Sequence, residues 1–235
     1  MAKKNLLILG GSSAIAQEYV CRYGKDYNLV LLHYYTEKPE LKNNMRIIQA
    51  DFSDVVSTKK FIERILNENI THIIHIPAIP VQNAHFQKIC WEKFQRGYDI
   101  QIRSAVLILQ ALLPKMEKEK YGKVVFVLSS VSCNISPKYM TDYVLNKYAL
   151  LGLTKALSQE FATKKININA VSPSMMETKF LKDLPEIVIE HARNASPMKR
   201  NANTKDVVAA IHFLLSDESE YITGENLLIS GGNLI

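Results

Sequence analysis

Three residues in the middle of the chain have the types and the spacing of an acid–base site. Tyr143 and Lys147 are four residues apart, so on a helix they share one face, one turn apart. An ammonium group beside a phenol favours the phenolate, and we expect Lys147 to lower the pKa of Tyr143 from its usual value of about 10. Ser130, thirteen residues before Tyr143, can add a hydroxyl. This set predicts proton transfer to or from a carbonyl or alcohol oxygen.

A second Tyr-x-x-x-Lys pair, Tyr34 and Lys38, lacks this context. Cys21, rather than a serine, stands thirteen residues before Tyr34, and Pro39 directly after Lys38 disfavours a helix. We interpret this pair as the end of a strand that runs into a loop. The Tyr143 pair instead follows an apolar run and lies in a helical pattern, so it is the candidate site.

Alternating strands and helices must position these residues. Apolar runs typical of buried parallel strands occur at 5–10, 27–34, 71–76, 123–130, 166–172 and 226–230. Helical patterns lie between them, at 14–23, 58–67, 143–162 and 206–215, with a long one that ends near Met116. This order predicts an α/β fold in a single domain, with helices on both faces of a parallel sheet. The irregular segment 174–205 is too long for a plain connection, so we expect a lid over a site.

The first predicted strand runs into GGSSAIA, a sequence suited to holding a phosphate. Gly10 and Gly11 allow a tight turn, and the next backbone N–H groups open a helix whose positive end would face a pyrophosphate. Those N–H groups belong to Ser12, Ser13, Ala14 and Ile15. Only Gly10 of the three fingerprint glycines is present, because Ala14 and Ala16 occupy the other two positions.

Composition excludes several classes of protein. The chain has 235 residues, of which 47% are hydrophobic and 22% charged, as in a globular domain. The net charge of +6 comes from lysines interleaved with acidic residues, which does not make the basic stripe of a nucleic-acid-binding protein. No stretch approaches the roughly 20 apolar residues of a membrane span, and the apolar run near the first residue is too short for a secretory signal. Three scattered cysteines predict a reducing cytoplasm.

Two histidines, His72 and His75, raise the possibility of a metal site. In a strand, residues three apart point to opposite faces, so these two side chains could not easily share one ion. We therefore expect no metal site.

Taken together, the Ser–Tyr–Lys set, the glycine-rich loop and the order of elements resemble the short-chain dehydrogenase/reductase family. LILGGSSAIA stands where the family has LITGASSGIG, and ITGENLLISGG is similar to its last strand. The resemblance implies a Rossmann-like, doubly wound, three-layer αβα fold and hydride transfer between a nicotinamide cofactor and a carbonyl or alcohol. It also implies that Tyr143 donates the proton, that Lys147 lowers the Tyr143 pKa and binds the nicotinamide ribose, and that Ser130 orients the carbonyl. Within the family, 3-oxoacyl-carrier-protein reductases are similar.

The same resemblance assigns cofactor contacts and shows two departures. Asp51 in QADFSD corresponds to an aspartate that contacts adenine, and Pro173-Ser174 with Thr178 corresponds to the segment that holds the nicotinamide carboxamide. His75-Ile76-Pro77-Ala78 replaces Asn-Asn-Ala-Gly, and Gln101 replaces a catalytic asparagine, so we expect Gln101 to be a weak member of a proton relay. The resulting cofactor-binding set is Gly10, Ser12, Ser13, Ala14, Ile15, Tyr34, Tyr35, Asp51, Phe52, His75, Pro77, Tyr143, Lys147, Pro173 and Thr178.

The end of the second predicted strand indicates NADP(H) rather than NAD(H). NAD-binding relatives usually carry an acidic residue there, which binds the ribose hydroxyls. This chain has Tyr34-Tyr35-Thr36, which can donate hydrogen bonds to a 2′-phosphate, with Lys38 close by. The absence of an arginine and the presence of Glu37 count against this preference.

Several apolar segments indicate partners. The helices that carry Gln101 and Tyr143 have apolar residues beyond one core-facing stripe, which predicts a homodimer or homotetramer. Core packing or subunit contact would account for Trp91, Ala105, Val106, Leu109, Leu112 and Leu113. An apolar cover for a small-molecule carbonyl substrate would use Met175, Met176, Phe180, Leu181 and Leu184. We interpret Lys164 and Lys165 as the cationic end of a helix, where positive charge is favourable for the helix dipole. The alternative is that they dock an acidic carrier protein.

Two other functions stay open. One is a reductase of sugar or polysaccharide biosynthesis, since divergent compact relatives with this kind of loop would fit. The other is a non-catalytic regulator that binds a dinucleotide, which the lost glycines, Pro77 and Gln101 support. The intact spacing of Ser130, Tyr143 and Lys147 argues against the regulator.

Overall fold

One parallel sheet of seven strands forms the centre of the molecule. The computed structural model describes residues 4–40, 44–133, 136–178 and 185–233. Its strands are β1 (Asn5–Leu9), β2 (Leu29–Tyr34), β3 (Met45–Gln49), β4 (His72–His75), β5 (Gly122–Val127), β6 (Ile166–Pro173) and β7 (Asn226–Ile229). They pair in the order β3-β2-β1-β4-β5-β6-β7, and every pair is parallel. The chain order reverses between β1 and β4, where parallel α/β sheets open a crevice at their carboxyl ends.

Helices cover both faces of the sheet. They are α1 (Ala14–Tyr23), α2 (Val55–Ile65), α3 (Trp91–Tyr98), α4 (Ser104–Glu119), α5 (Thr141–Phe161), α6 (Glu186–Ala195) and α7 (Thr204–Leu215). Apolar side chains of α1 and α7 pack in one core, and those of α2, α4 and α5 pack in the other. The prediction of a doubly wound, three-layer single domain is therefore confirmed. Within the described ranges, no helix has both the length and the apolar character needed to cross a membrane.

Local capping decides where several helices begin. The Ser13 hydroxyl accepts the Ala16 N–H at 3.2 Å and starts α1 directly after the glycine turn. The Asp54 carboxylate accepts the N–H groups of Val56 and Ser57, so α2 starts earlier than the predicted residue 58. These caps fix the helices that follow β1 and β3, both of which begin at the carboxyl edge of the sheet.

Three elements were not predicted from the sequence. β3 is a short edge strand in which only Met45 and Ile48 are buried. α6 has no buried residue and α3 buries only Gly97, so little of either helix packs into the core. The predicted strand 123–130 ends at Val127.

The predicted lid segment 174–205 is partly folded. It contains α6, and Met176 pairs with Ala202 in an isolated parallel bridge. The Arg193 guanidinium donates to the Glu177 carboxylate at 2.7 Å, which ties α6 to the segment after β6. Phe180, Leu181 and Leu184, part of the predicted apolar cover, lie outside the described residues.

Candidate active site

The predicted site residues meet along one edge of the sheet. Parallel strands present all their carboxyl ends at the same edge, and each predicted position lies at or just beyond such an end, or on a helix that packs there. The glycine-rich loop follows β1, Tyr34 ends β2, Asp51 follows β3 and His75 ends β4. The remaining predicted positions follow β5 and β6 or lie on the helices beside them: Gln101, Ser130, Tyr143, Lys147, Pro173 and Thr178.

Tyr143 and Lys147 lie in the first two turns of α5, a helix that packs on β6. Both side chains are buried. The Lys147 Nζ donates to the Val127 carbonyl at 2.9 Å, and it lies 5.5 Å from the centroid of the Tyr143 ring. The predicted neighbourhood of ammonium and phenol is therefore present, and the last carbonyl of β5 fixes the lysine.

The expected lowering of the Tyr143 pKa is not observed. Burial raises the pKa of Tyr143 to about 12, although a hydrogen bond with Ser129 lowers it. Burial also lowers the pKa of Lys147 to about 7. The prediction was wrong because desolvation disfavours both charged forms, and at neutral pH Lys147 is only partly protonated. Without a bound cofactor, Tyr143 holds its proton.

The hydroxyl in hydrogen-bond contact with Tyr143 is that of Ser129, one residue before the predicted Ser130. Ser129 is extended (φ −167°, ψ 153°) and continues the direction of β5, whereas Ser130 begins a short 3₁₀ turn. The sequence contains two consecutive serines, and the spacing of thirteen residues selected the second. The hydrogen bond adds Ser129 to the neighbours of Tyr143, and the catalytic assignment of Ser130 stays a prediction.

Gln101 lies in a π-helical turn, Asp99–Arg103, that joins α3 to α4. Its side chain is fully buried, and within the described residues neither its amide nitrogen nor its amide oxygen has a hydrogen-bond partner. Isolated π turns occur often at functional sites, and an unsatisfied buried amide is costly. This combination is typical of a functional position.

The glycine-rich loop is held in a single conformation. Gly10 has φ +81°, and its N–H donates to Nδ1 of His33 at 3.2 Å. The Gly11 N–H donates to the His33 carbonyl at 2.6 Å, and a Cβ on Gly11 would lie 2.9 Å from Cβ of Leu32. The loop therefore packs directly on β2. Ser13 caps α1, and Ile15 is buried, so Ile15 can offer a ligand only its backbone.

The Asp51 carboxylate lies beside the end of β2. It accepts hydrogen bonds from the Ser53 N–H at 2.8 Å and the Ser53 hydroxyl at 2.6 Å. Burial raises the pKa of Asp51, but the two Ser53 hydrogen bonds, the Arg96 charge and a hydrogen bond with Tyr35 lower it, and the net shift is downward. The carboxylate is therefore ionised above acidic pH, and the exposed Tyr35 is one of its donors.

Sequence reasoning missed Arg103, which braces this region. Its guanidinium donates to the carbonyls of Phe52 and Ser53 at 3.1 and 2.8 Å and forms an ion pair with Asp99 at 2.7 Å. Arg103 thus connects the π turn of Gln101 to the loop after β3. A basic residue two positions after Gln101 was the only signal in the sequence, and it does not identify the loop that it contacts.

The turn after β4 closes the other side of the glycine-rich loop. A Cβ on Gly10 would lie 3.4 Å from the backbone nitrogen of Pro77. His75 is fully buried, with its ring 5.3 Å from that of Phe126, and neither ring nitrogen has a hydrogen-bond partner in the described ranges. Burial, together with the Lys147 charge, lowers the pKa of His75 to about 3. The neutral ring lies beneath the site rather than in a binding turn.

A cleft of about 630 Å³ opens between the start of α1 and the segment after β6. It is lined by Ala14 and Thr178, both predicted to bind cofactor, and by polar side chains of the α6–α7 region. The Glu177 carboxylate accepts hydrogen bonds from Arg193 and Asn201 at this cleft. The cleft adjoins the glycine-rich loop at Ala14, where the start of α1 offers backbone donors to an anionic group.

Comparisons with known proteins agree with this geometry. A family model described as enoyl-(acyl carrier protein) reductase matches residues 14–233. The oxidoreductase UcpA of Escherichia coli (strain K12) is 34% identical over 249 residues, covering 99% of this chain and 95% of that protein. A short chain dehydrogenase from Leptospira borgpetersenii, solved with bound NAD+, has a TM-score of 0.88 at 26% identity, covering 99% of this chain and 93% of the other. A variant of ElxO with NADPH bound has a TM-score of 0.87 at 27% identity, covering 99% of each chain.

Proposed function

Because the chain belongs to the short-chain dehydrogenase/reductase family, we propose that Tyr143 is the proton donor of this oxidoreductase, with Ser129 and Lys147 as its partners. The enzyme transfers hydride between a nicotinamide dinucleotide and a carbonyl or alcohol substrate. The observation that carries the proposal is the buried cluster in which Tyr143 contacts Ser129 and lies over Lys147.

The pKa values of the cluster suit the reduction of a carbonyl. With a pKa of about 12, Tyr143 is protonated at neutral pH and can donate to a carbonyl oxygen. The Ser129 hydroxyl, already bonded to the phenol, then stabilises the oxygen that carries negative charge. Lys147, with a pKa of about 7, can return a proton to the Tyr143 phenolate. This transfer is favourable because the pKa of Tyr143 is higher.

The bound dinucleotide would supply the hydride. The chain's own residues fit such a cofactor, because the Gly10 turn brings backbone N–H groups to the start of α1 and the adjoining cleft is large enough for a phosphate-linked ligand. Asp51 would accept a hydrogen bond from the adenine amino group, and Thr178 would bind near the nicotinamide end. Lys147 would contact the ribose beside Tyr143.

We further propose a preference for NADP(H) over NAD(H). No carboxylate follows β2 directly, where one would repel a 2′-phosphate, and Tyr34 and Tyr35 offer hydroxyl donors there. The hydrogen bond between Tyr35 and Asp51 works in the opposite direction, because it occupies that hydroxyl and brings a carboxylate near. Titration of the enzyme with NADPH and NADH tests the preference, and tighter binding of NADH would contradict it.

The substrate proposal is a 3-oxoacyl thioester, which the 3-oxoacyl-[acyl-carrier-protein] reductase of Thermotoga maritima supports, since it is 34% identical over 144 residues, covering 61% of this chain and 58% of that protein. Segment 174–205 would cover the substrate, with Met175 and Met176 at its base. A panel of 3-oxoacyl thioesters, keto sugars and quinones, assayed with both reduced cofactors, tests the class. Turnover of keto sugars alone would favour the reading as a sugar-pathway reductase, and no turnover at all would favour the non-catalytic regulator.

A homodimer or homotetramer completes the proposal. Leu145 and Tyr148 are exposed on α5 at 55% and 41%, on the outer side of the helix that carries Tyr143. Apolar side chains of this size on an outer helix face favour association between copies of the chain. Light scattering at micromolar concentration tests the assembly, and a monomer would contradict it.

A further inference from the structure

His33, near the end of β2, is a buried side chain that connects the loop after β1 to the end of β3. Its Nδ1 accepts the Gly10 N–H at 3.2 Å, and its Nε2 lies 3.1 Å from the Ala50 carbonyl. Since Nδ1 faces a donor and Nε2 faces an acceptor, the ring must carry its proton on Nε2. One ring therefore joins the loop after β1 to the end of β3, which leads directly to Asp51.

Packing holds the His33 ring in this orientation. It stacks on Phe52 with centroids 3.7 Å apart and planes 11° apart, and the edge of Phe61 meets it at 5.4 Å. The ring is almost completely buried, and burial lowers the pKa of His33 to about 4, against the Ala50 hydrogen bond and the Asp51 charge, which raise it. The neighbouring titratable group on β4 is His75, which is neutral as well. Nδ1 thus stays an acceptor at neutral pH.

We propose that His33 is a positioning residue for the dinucleotide, which holds the phosphate-binding loop in its binding conformation through the bond to the Gly10 N–H. Gly10 has a positive φ, and the direction of the next N–H groups depends on that turn. If the Gly10 N–H loses its acceptor, the buried donor can be satisfied only by a rearranged loop. A cofactor that binds the native loop would then have to restore it, so its affinity falls.

This inference rests on the proposed function, since it concerns the same cofactor site. It assigns a role to a residue whose side chain does not face the ligand and which no glycine fingerprint includes. It also gives a physical reason why a loop with Ala14 and Ala16 in place of two glycines can keep a defined shape. The backbone bond from the Gly11 N–H to the His33 carbonyl and the bond from Gln17 to the Gly11 carbonyl support the same conformation.

Two amide variants separate the hydrogen bonds of the ring. His33→Asn places an amide oxygen about where Nδ1 lies, so it keeps the bond to Gly10, whereas His33→Gln places its amide near Nε2 and keeps only the bond to Ala50. Both lose the stack on Phe52. Direct fluorescence titration with NADPH and with NADH should give a Kd for the Asn variant within about threefold of wild type and a Kd for the Gln variant about tenfold weaker. At saturating cofactor, kcat of the Gln variant should fall by less than about threefold, because Tyr143 is untouched.

His72→Leu is the matched control, because His72 is an equally buried neutral histidine at the other end of the sheet. It should lower the melting temperature without changing either Kd. Equal Kd values for the two His33 variants, or a comparable loss of affinity in His72→Leu, would overturn the inference while leaving the proposed function standing. Failure of wild type to bind either dinucleotide would instead contradict the proposed function, and this inference with it.

Discussion

The two edges of the sheet differ in how their polar groups are partnered. At the amino edge, the Asp217 carboxylate accepts the Lys4 ammonium at 2.8 Å and the Tyr121 hydroxyl at 2.7 Å. His72 is bonded to the Thr71 hydroxyl at 2.8 Å and lies edge-on to the Tyr121 ring. Asp217 is exposed whereas Thr71 and His72 are buried, and these polar groups satisfy one another.

At the carboxyl edge, buried polar groups are left without protein partners. Neither His75 nor Gln101 has a side-chain hydrogen bond within the described residues, and burial lowers the pKa of Lys147 to about 7. The amino edge has two comparable atoms, Asn69 Oδ1 and Lys123 Nζ, which lack hydrogen-bond partners in the same ranges, and burial lowers the pKa of Lys123 although Asp217 and Glu220 raise it. The contrast indicates that the carboxyl edge gives up stability for chemistry, as active sites often do.

Replacing the proton donor should have the largest effect. Tyr143→Phe removes the hydroxyl but keeps the buried ring, so we expect kcat to fall by about a thousandfold. The Kd of the cofactor should change by less than about twofold, because the phenol is not its main contact. Steady-state kinetics and fluorescence titration measure the two quantities. Near-normal turnover in this variant would refute the mechanism.

The two serines provide a paired test of which hydroxyl the site uses. Ser129→Ala should lower kcat by about a hundredfold, as removal of an oxyanion donor does elsewhere. Ser130→Ala removes a hydroxyl of the following 3₁₀ turn and should lower kcat by less than about threefold. The same carbonyl substrate serves for both variants. The reverse order of effects would restore Ser130 as the catalytic serine.

Lys147→Met should stabilise the protein while abolishing its activity. The folded pKa of Lys147 is about 7, below the unfolded value of about 10.5, so the unfolded state binds more protons between these values and the wild-type free energy of unfolding rises with pH across that window. Below pH 7 the penalty is fully present, and there the variant should be more stable by about 1–3 kcal/mol.

Urea denaturation at pH 6 and pH 9 measures this difference, with Lys155→Met, an exposed position on the same helix, as the control. The gain should be smaller at pH 9 than at pH 6. A loss of stability in Lys147→Met at pH 6 would mean that the lysine contributes to folding.

Gln101 tests whether an unpartnered buried amide has a function. Gln101→Asn shortens the side chain by one methylene and should preserve or raise turnover. Gln101→Ala removes the amide and should lower turnover by about five- to tenfold through loss of relay geometry. Pre-steady-state measurement of the proton-transfer step distinguishes the two. Unchanged turnover in the alanine variant would make Gln101 a packing residue.

The amino edge should respond in stability alone, and by the smallest amount. Tyr121→Phe removes the hydrogen bond to Asp217 and should lower the free energy of unfolding by about 1 kcal/mol. kcat and KM should stay unchanged, because the phenol lies at the far end of β5 from Tyr143. A loss of activity without a loss of stability would erase the distinction between the two edges.

The sequence by itself determined the fold class and the region of the site. Apolar runs alternating with helical patterns were sufficient for six of the seven strands, because buried parallel strands are apolar on both faces. Tyr143 and Lys147 were identifiable because residues four apart on a helix lie on the same face. β3, α3 and α6 were not predicted, and few of their side chains are buried.

Only the tertiary structure decided the finer features of the site. Ser129 forms a hydrogen bond with Tyr143 beyond the end of β5 at Val127, and no spacing in the sequence sets that end. The Tyr143 pKa rises rather than falls because the surrounding layers exclude water, which a count along one helix cannot reveal. The contacts of His33 with Gly10 and Ala50 depend on three strands lying side by side. The local sequence pattern therefore indicated the type of chemistry, and long-range packing determined which atoms are in place for it.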